Sequence, residues 1–182
     1  VEMGRWIEKA DSLVWNWYSG MEGGTALAEV LYGLVNPSGK LPESFYKTHK
    51  DCSTHCLGEF GKKDQTEYTE GSFVGYRYLD AYHVEPEFCF GHGLSYTDFE
   101  YSNAVVTPET VEVTVRNIGG YAGGEVVQLY IGKTGTSVIR PLKELKDYKK
   151  IFLRPGESKV VKFRISGKLL AVYDEQKKRN IT

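Results

Sequence analysis

Thr110-Val111-Glu112-Val113-Thr114-Val115-Arg116-Asn117 is the stretch that decides the fold. Val111, Val113 and Val115 alternate with Glu112, Thr114 and Arg116, so an extended chain sends the valines to one face and the polar residues to the other. A β-strand with one buried and one wet face follows. Asn117, Gly119 and Gly120 come next and read as a turn supplying positive-φ positions, while Arg154-Pro155-Gly156-Glu157 supplies a fixed φ and a positive one.

Moving outward, period-two patterning with turn signals about every ten residues extends from Phe99 onwards, as expected of an all-β sandwich. The strands are expected near Phe99 to Val106, Thr110 to Asn117, Glu125 to Ile131, Leu145 to Leu153, Ser158 to Ile165, and around Leu170 to Tyr173. Towards the N-terminus the period changes. Met3, Trp6, Ile7 and Ala10 recur at helical spacing, and Leu13 to Tyr18 form a short apolar run of the kind buried in a parallel sheet. Gly20, Gly23 and Gly24 then break the chain, with Thr25 placed to cap. Ala26, Leu27, Val30, Leu31 and Leu34 draw an apolar helical stripe that Gly33 and Asn36-Pro37 stop. Helix, strand, glycine turn, helix is the unit of an α/β layer, and one such strand cannot make a sheet, so the rest of that layer is expected elsewhere. Between the two regions, about Lys40 to Tyr96, runs a stretch rich in Gly, Tyr, Phe and charge but poor in periodicity. It is expected to lie along another domain.

Composition excludes several classes. With 41% hydrophobic residues and a formal net charge of -1 over 182 residues, the chain is ordinary globular material. Its charges are scattered, which argues against nucleic acid or an anionic membrane as partner, and no apolar run is long enough to span a bilayer. No cofactor is implied. The first residue is Val1, and the residues after it read as mid-helix rather than as a signal peptide, so the natural N-terminus is expected upstream. Three cysteines are too few for a disulfide scaffold and lean towards a reducing interior such as the bacterial cytoplasm. Asn180-Ile181-Thr182 is a glycosylation sequon.

Three blocks carry a resemblance. WNWYSGMEGGTALAEVLYGLVNPSGKLPESF resembles the close of the α/β sandwich domain in family 3 glycoside hydrolases. YTEGSFVGYRYLD followed by EFCFGHGLSYTDFEYS resembles the stretch that joins it to the family's fibronectin type III-like domain, and VEVTVRNIGGYAGGEVVQLYIG with PLKELKDYKKIFLRPGESKVVKF is similar to that domain itself. The fold this implies is α+β overall: a remnant of a flavodoxin-like α/β layer over residues 1–45, an irregular connector over 46–97, and an immunoglobulin/fibronectin type III-like sandwich over 98–182, without its last strand. The activity it implies is retaining hydrolysis of terminal β-linked sugars, as in β-glucosidases, by two carboxylates roughly 5 Å apart. In the family the nucleophile is an Asp on a barrel domain and the acid/base a Glu upstream of the tryptophan-rich strand. Neither motif occurs here, so no catalytic residue is carried over. The implied partners are the barrel and the remaining α/β domain of the same enzyme. A β-glycoside binds only in the complete enzyme, and the sandwich offers an exposed sheet edge for oligomer formation.

Read on their own, a few residues stand out. Glu22 follows a strand and precedes a helix, where α/β folds bind ligands, or else complements the positive helix end. His49, Cys52, His55 and Cys56 offer nitrogen and sulfur donors to a metal, but four ligands within eight residues strain a loop, and a solvated loop is the simpler reading. Tyr76 and Arg77 sit in an aromatic cluster with Phe73, Tyr78, Tyr82, Phe88, Phe90 and Tyr96, which suits a domain interface or a sugar-stacking platform. Arg77 calls for a carboxylate partner. His92, between Gly91 and Gly93, reads as a turn residue. The alternative to a bracing role is a carbohydrate-binding or adhesion sandwich. Such modules expose a planar row of aromatics, whereas Tyr121, Tyr130, Tyr148 and Tyr173 are dispersed.

Overall fold

A computed structural model describes the chain except for residues 1, 59–60, 62–63, 136–137, 175–178 and 182. It forms two compact units: residues 1–15, 40–92 and 132–144, and residues 16–39, 93–131 and 145–182.

The second unit holds the sandwich. Strands β1 (Phe99–Val106), β2 (Thr110–Asn117) and β5 (Ser158–Arg164) form an antiparallel sheet in the order β1-β2-β5, and β3 (Gly123–Ile131) pairs with β4 (Glu144–Leu153). β1 and β2 have the bounds expected from the alternation, and β3, β4 and β5 shift by one or two residues. Val115, Val161 and Phe163 from the first sheet meet Val127, Ile151 and Leu153 from the second, and all six are buried. On the outer face Glu112 lies directly opposite Lys162 and bonds it at 2.6 Å, which half-covers both and blunts the alternation there. β3 starts two residues early, on Gly123 and Gly124, where close neighbours leave little room for a side chain. A Cβ at Gly123 would meet Asn36 Nδ2 at 2.7 Å and Thr97 Cγ2 at 2.9 Å.

The turns differ from expectation in an informative way. Gly156 has φ 77° after Pro155, and Glu157 N–H donates to Arg154 O at 3.0 Å, the type II turn that the sequence implies. Among Asn117, Gly119 and Gly120, none has positive φ. Glycine is needed at Gly119 for room instead, since a Cβ there would lie 2.3 Å from Thr97 Oγ1. The expected strand at Leu170 begins later. Ser166 Oγ accepts from Leu169 N–H at 3.2 Å and caps a helical turn, α4 (Gly167–Leu170), before β6 (Val172–Asp174) pairs with β7 (Arg179–Ile181). The sequon ends on Thr182, outside the described residues.

The same unit holds helix α1 (Gly23–Leu31). It ends as read, with Gly33 at φ 72°, Gly33 N–H on Val30 O at 3.0 Å and Leu34 N–H on Glu29 O at 2.8 Å, a left-handed cap that satisfies the last carbonyls. Thr25 lies inside the helix and does not cap it; Glu22 holds that position. The run Leu13 to Tyr18 is not a strand. Trp17 takes φ 43°, and no described strand pairs with the run, so nothing holds it flat and hydrogen-bonded. The helix expected from Met3 to Ala10 is a single 3-10 turn, Ile7–Lys9, whose start is drawn tight by Met3 O accepting from both Trp6 and Ile7 amides at 2.9 Å.

The first unit gathers most of the connector, which folds rather than trailing. Phe45 and Phe88 form a bridge, Gly91 N–H donates to Leu41 O and Leu41 N–H to His92 O, each at 2.7 Å. Short helices α2 (Ser53–Cys56) and α3 (Tyr76–Tyr82) complete it. Met3, Phe45, Tyr78 and Leu79 form its buried centre, with Trp15 edge-on to Phe45 at 4.8 Å. No helix of the described residues is long and apolar enough to cross a membrane.

Candidate functional site

A cavity of about 330 Å³ in the first unit is lined by Glu2, Glu43, Ser44, Phe45, Tyr46, His49, Cys52 and His55. Thr48 and Asp51 cap a 3-10 turn reciprocally, the Thr48 side chain on the Asp51 amide and the Asp51 carboxylate on the Thr48 amide, and this sets His49 at the turn's start. Glu2 Oε1 accepts from both the His49 amide and Nδ1 at 2.6 Å. Those bonds, the amide's first, hold the Glu2 carboxyl below its ordinary value. The His49 and His55 rings meet edge to face at 5.1 Å. Burial, and then the Cys52 thiol beside it, push the Tyr46 phenol up to about 12.

Cys56 is committed to other contacts. Cys56 Sγ donates to Lys50 O at 2.9 Å, and its thiol hydrogen-bonds Tyr78, whose phenol that bond and then burial raise to about 12. His49, Cys52 and His55 therefore share a cavity, while Cys56 turns towards α3. Among the described residues no group of three or more His, Cys, Asp or Glu is placed to hold a metal ion.

Tyr76 stacks on Phe90 at 4.8 Å and 28°, and the Arg77 guanidinium lies 5.9 Å from the Tyr76 ring centre. Arg77 Nη2 meets Glu144 Oε1 at 3.5 Å, and one helical turn on, Asp80 meets Lys143 at 3.2 Å. α3 is thus held to residues 143–144 by two ion pairs. Sequence reasoning asked for a carboxylate partner to Arg77 but could not find Glu144, 67 positions away, nor bring Glu2 to His49, because no local period links such pairs. Gly132 admits no Cβ, which would lie 2.0 Å from Leu142 O, and this brings the two ends of the loop together.

Glu22, in the other unit, occupies the N-cap of α1. Its Oε2 accepts from Thr25 Oγ1 at 3.2 Å, and its carboxylate complements the helix's positive end. His92 closes a turn, its amide on Cys89 O at 3.0 Å after Gly91 at φ 82°, and its ring tilts against Phe88 at 5.1 Å.

Chemically, these groups position backbone and pack rings against one another. Among the described residues, the carboxyls of Glu2 and Glu85 are held below their ordinary value, Glu85 by its bond to Lys47 at 2.7 Å.

The family description "Glycosyl hydrolase family 3 C-terminal domain" matches residues 1–96, and "Fibronectin type III-like domain" matches residues 125–182. The chain is 46% identical to Beta-glucosidase BoGH3A of Bacteroides ovatus, over 95% of this chain and 25% of that protein. It is also 46% identical to Thermostable beta-glucosidase B of Acetivibrio thermocellus, over 94% and 24%. Among solved structures, the β-glucosidase DesR of Streptomyces venezuelae superposes with a TM-score of 0.85 at 40% identity, covering 91% of this chain and 22% of that one. The Bifidobacterium adolescentis β-glucosidase gives 0.91 at 33%, covering 99% and 27%. The chain spans about a quarter of the length of these relatives. The chain belongs to glycoside hydrolase family 3 and matches the C-terminal part of such enzymes.

Proposed function

We propose that the chain braces the catalytic domains of a retaining β-glucosidase that removes terminal β-linked sugars. In this reading residues 1–45 complete a flavodoxin-like α/β layer, 46–97 connect, and 98–182 form the sandwich. The partners are the barrel and the rest of the α/β layer of the same enzyme, with the open edges of β1 and β5 available for association between copies. The observation that carries the reading is coverage. The chain matches its relatives across nearly its whole length yet spans a quarter of theirs.

The test is hydrolysis of a panel of aryl β-glycosides by the purified chain beside a complete family enzyme. No turnover by the chain with turnover by the complete enzyme is the expected result. Reproducible turnover by the chain alone would refute the bracing role and direct mutagenesis first to Glu22, the carboxylate at the N-cap of α1.

A further inference from the structure

Cys52 and Cys56 stand one helical turn apart. Cys52 is the N-cap of α2 and Cys56 its last residue, and the Cys56 amide donates to Cys52 O at 3.0 Å. That bond sets the rise of an α-turn between them, so their Cα atoms lie about 6 Å apart, inside the roughly 4.4–6.8 Å that a disulfide spans. Both are free thiols.

Their surroundings differ. Cys52 lines the cavity of about 330 Å³ together with His49 and His55, and imidazoles can take a thiol's proton, leaving the thiolate that acts as nucleophile. Cys56 turns towards α3, its Sγ held on Lys50 O at 2.9 Å and its thiol hydrogen-bonded to Tyr78. The two sulfurs nevertheless border one cluster. Cys52 bonds the Tyr46 phenol, Cys56 bonds the Tyr78 phenol, and Tyr46 is near enough to Tyr78 for its charge to act there. One thiol thus faces a cavity while its potential partner is one turn away.

We propose that Cys52 and Cys56 form a reversible dithiol–disulfide site whose oxidant is a small disulfide entering the cavity. The Cys52 thiolate attacks one sulfur of the reagent, the reagent's S–S bond breaks, and one half leaves as a thiolate that takes up a proton. Cys56, once deprotonated, attacks the Cys52 sulfur of this mixed disulfide and expels the second half. Two protein thiols are oxidised, one disulfide is reduced to two thiols, and the two protons lost by the cysteines end on the products. None of these steps involves a β-glycoside, so the inference is independent of the bracing role. A disulfide sulfur carries no proton, so closure takes the donor from Lys50 O. It also closes a loop of only five residues, where cross-linking stabilises a fold least. Such a link at an exposed residue belongs to the labile, reducible kind rather than the structural one.

The test incubates the folded, reduced chain with bis(2-hydroxyethyl) disulfide, a neutral probe chosen because the Glu2 and Glu43 carboxylates share the cavity. Remaining thiols are then alkylated and the chain is digested with trypsin, which leaves Cys52 and Cys56 together in the peptide 51–62 and Cys89 in another. The expected result is a peptide 51–62 that is unalkylated and lighter by two hydrogens, and that dithiothreitol returns to the doubly alkylated form. Cys56→Ser has no second thiol to expel the probe, so it should accumulate the mixed disulfide on Cys52 instead. A parent peptide that stays doubly alkylated, or that carries the probe on either cysteine without closing, would overturn the proposal. So would a Cys56→Ser protein, folded by circular dichroism, whose Cys52 takes up no probe. Should that variant not fold, the parent peptide decides by itself.

Discussion

Asn117 shows how one side chain can tie a fold together. It is wholly buried at the end of β2, and its amide meets four partners: Oδ1 accepts from Thr97 Oγ1 at 2.7 Å and Gly119 N at 3.1 Å, and Nδ2 donates to Tyr121 O at 2.7 Å and Leu153 O at 3.1 Å. Both lone pairs and both protons are used. Asn117→Ala leaves those groups without the amide, two of them carbonyls in a dry site, and is expected to cost roughly 3 kcal/mol or more. Asn117→Asp should fare no better, because it keeps the acceptors and loses the donors. Urea melts of the three proteins would show this, and an Asp variant as stable as the parent would mean that the two carbonyl contacts carry no weight. His92 supplies a pH dependence. Burial, and then the Lys40 charge, hold its pKa below the ordinary 6.5. As pH falls below that value the unfolded chain takes up a proton that the folded one resists, so stability is lost on acidification between the ordinary pKa and the lower folded one. In His92→Asn this component vanishes, so the melting temperatures of parent and variant should converge, or cross in the variant's favour, from pH 7.5 to 5.5. Parallel curves would show that the imidazole does not titrate differently on folding.

At the scale of elements, what was legible depended on whether the residues that define an element also stabilise it. β2 carries its own alternation in sequence, and the ends of β1 and β2 are where the sequence puts them. α1 announces its stop through Gly33. Leu13 to Tyr18 looks like a strand but needs neighbours to become one, and propensity cannot provide them. α3 went unread because Tyr78 and Leu79, which bury it, sit among aromatics that follow no clean period. The Arg77–Glu144 and Asp80–Lys143 pairs fix it from far along the chain. The sandwich core offers a contrast within one strand. On β5, Phe163 is 2% exposed against Val115, Leu153 and Val161, while Val160 is 59% exposed on the other face. Phe163→Ala is expected to cost about 3–5 kcal/mol and Val160→Ala within about 0.5 kcal/mol. Chemical denaturation of both variants would check it. A large loss at Val160 would mean that the outer face of this sheet is covered.

At the scale of the whole molecule, the excess surface has a thermodynamic signature. An unfolded chain of 20.5 kDa exposes roughly 29,700 Å². Folding to 12916 Å² then removes about 16,800 Å², where a self-contained protein of that mass would remove about 20,800 Å². The denaturant slope m follows the area exposed on unfolding. The isolated chain should therefore unfold in urea with an m-value about a fifth below that of monomeric proteins of the same size. Circular dichroism and tryptophan fluorescence should be followed together, because a shallow slope also arises when two units unfold separately, and coincident transitions exclude that origin. Coincident curves with a reduced m would mean that the native chain holds open surface that a larger assembly covers. Coincident curves with the full m would mean that the chain closes over its apolar residues by itself.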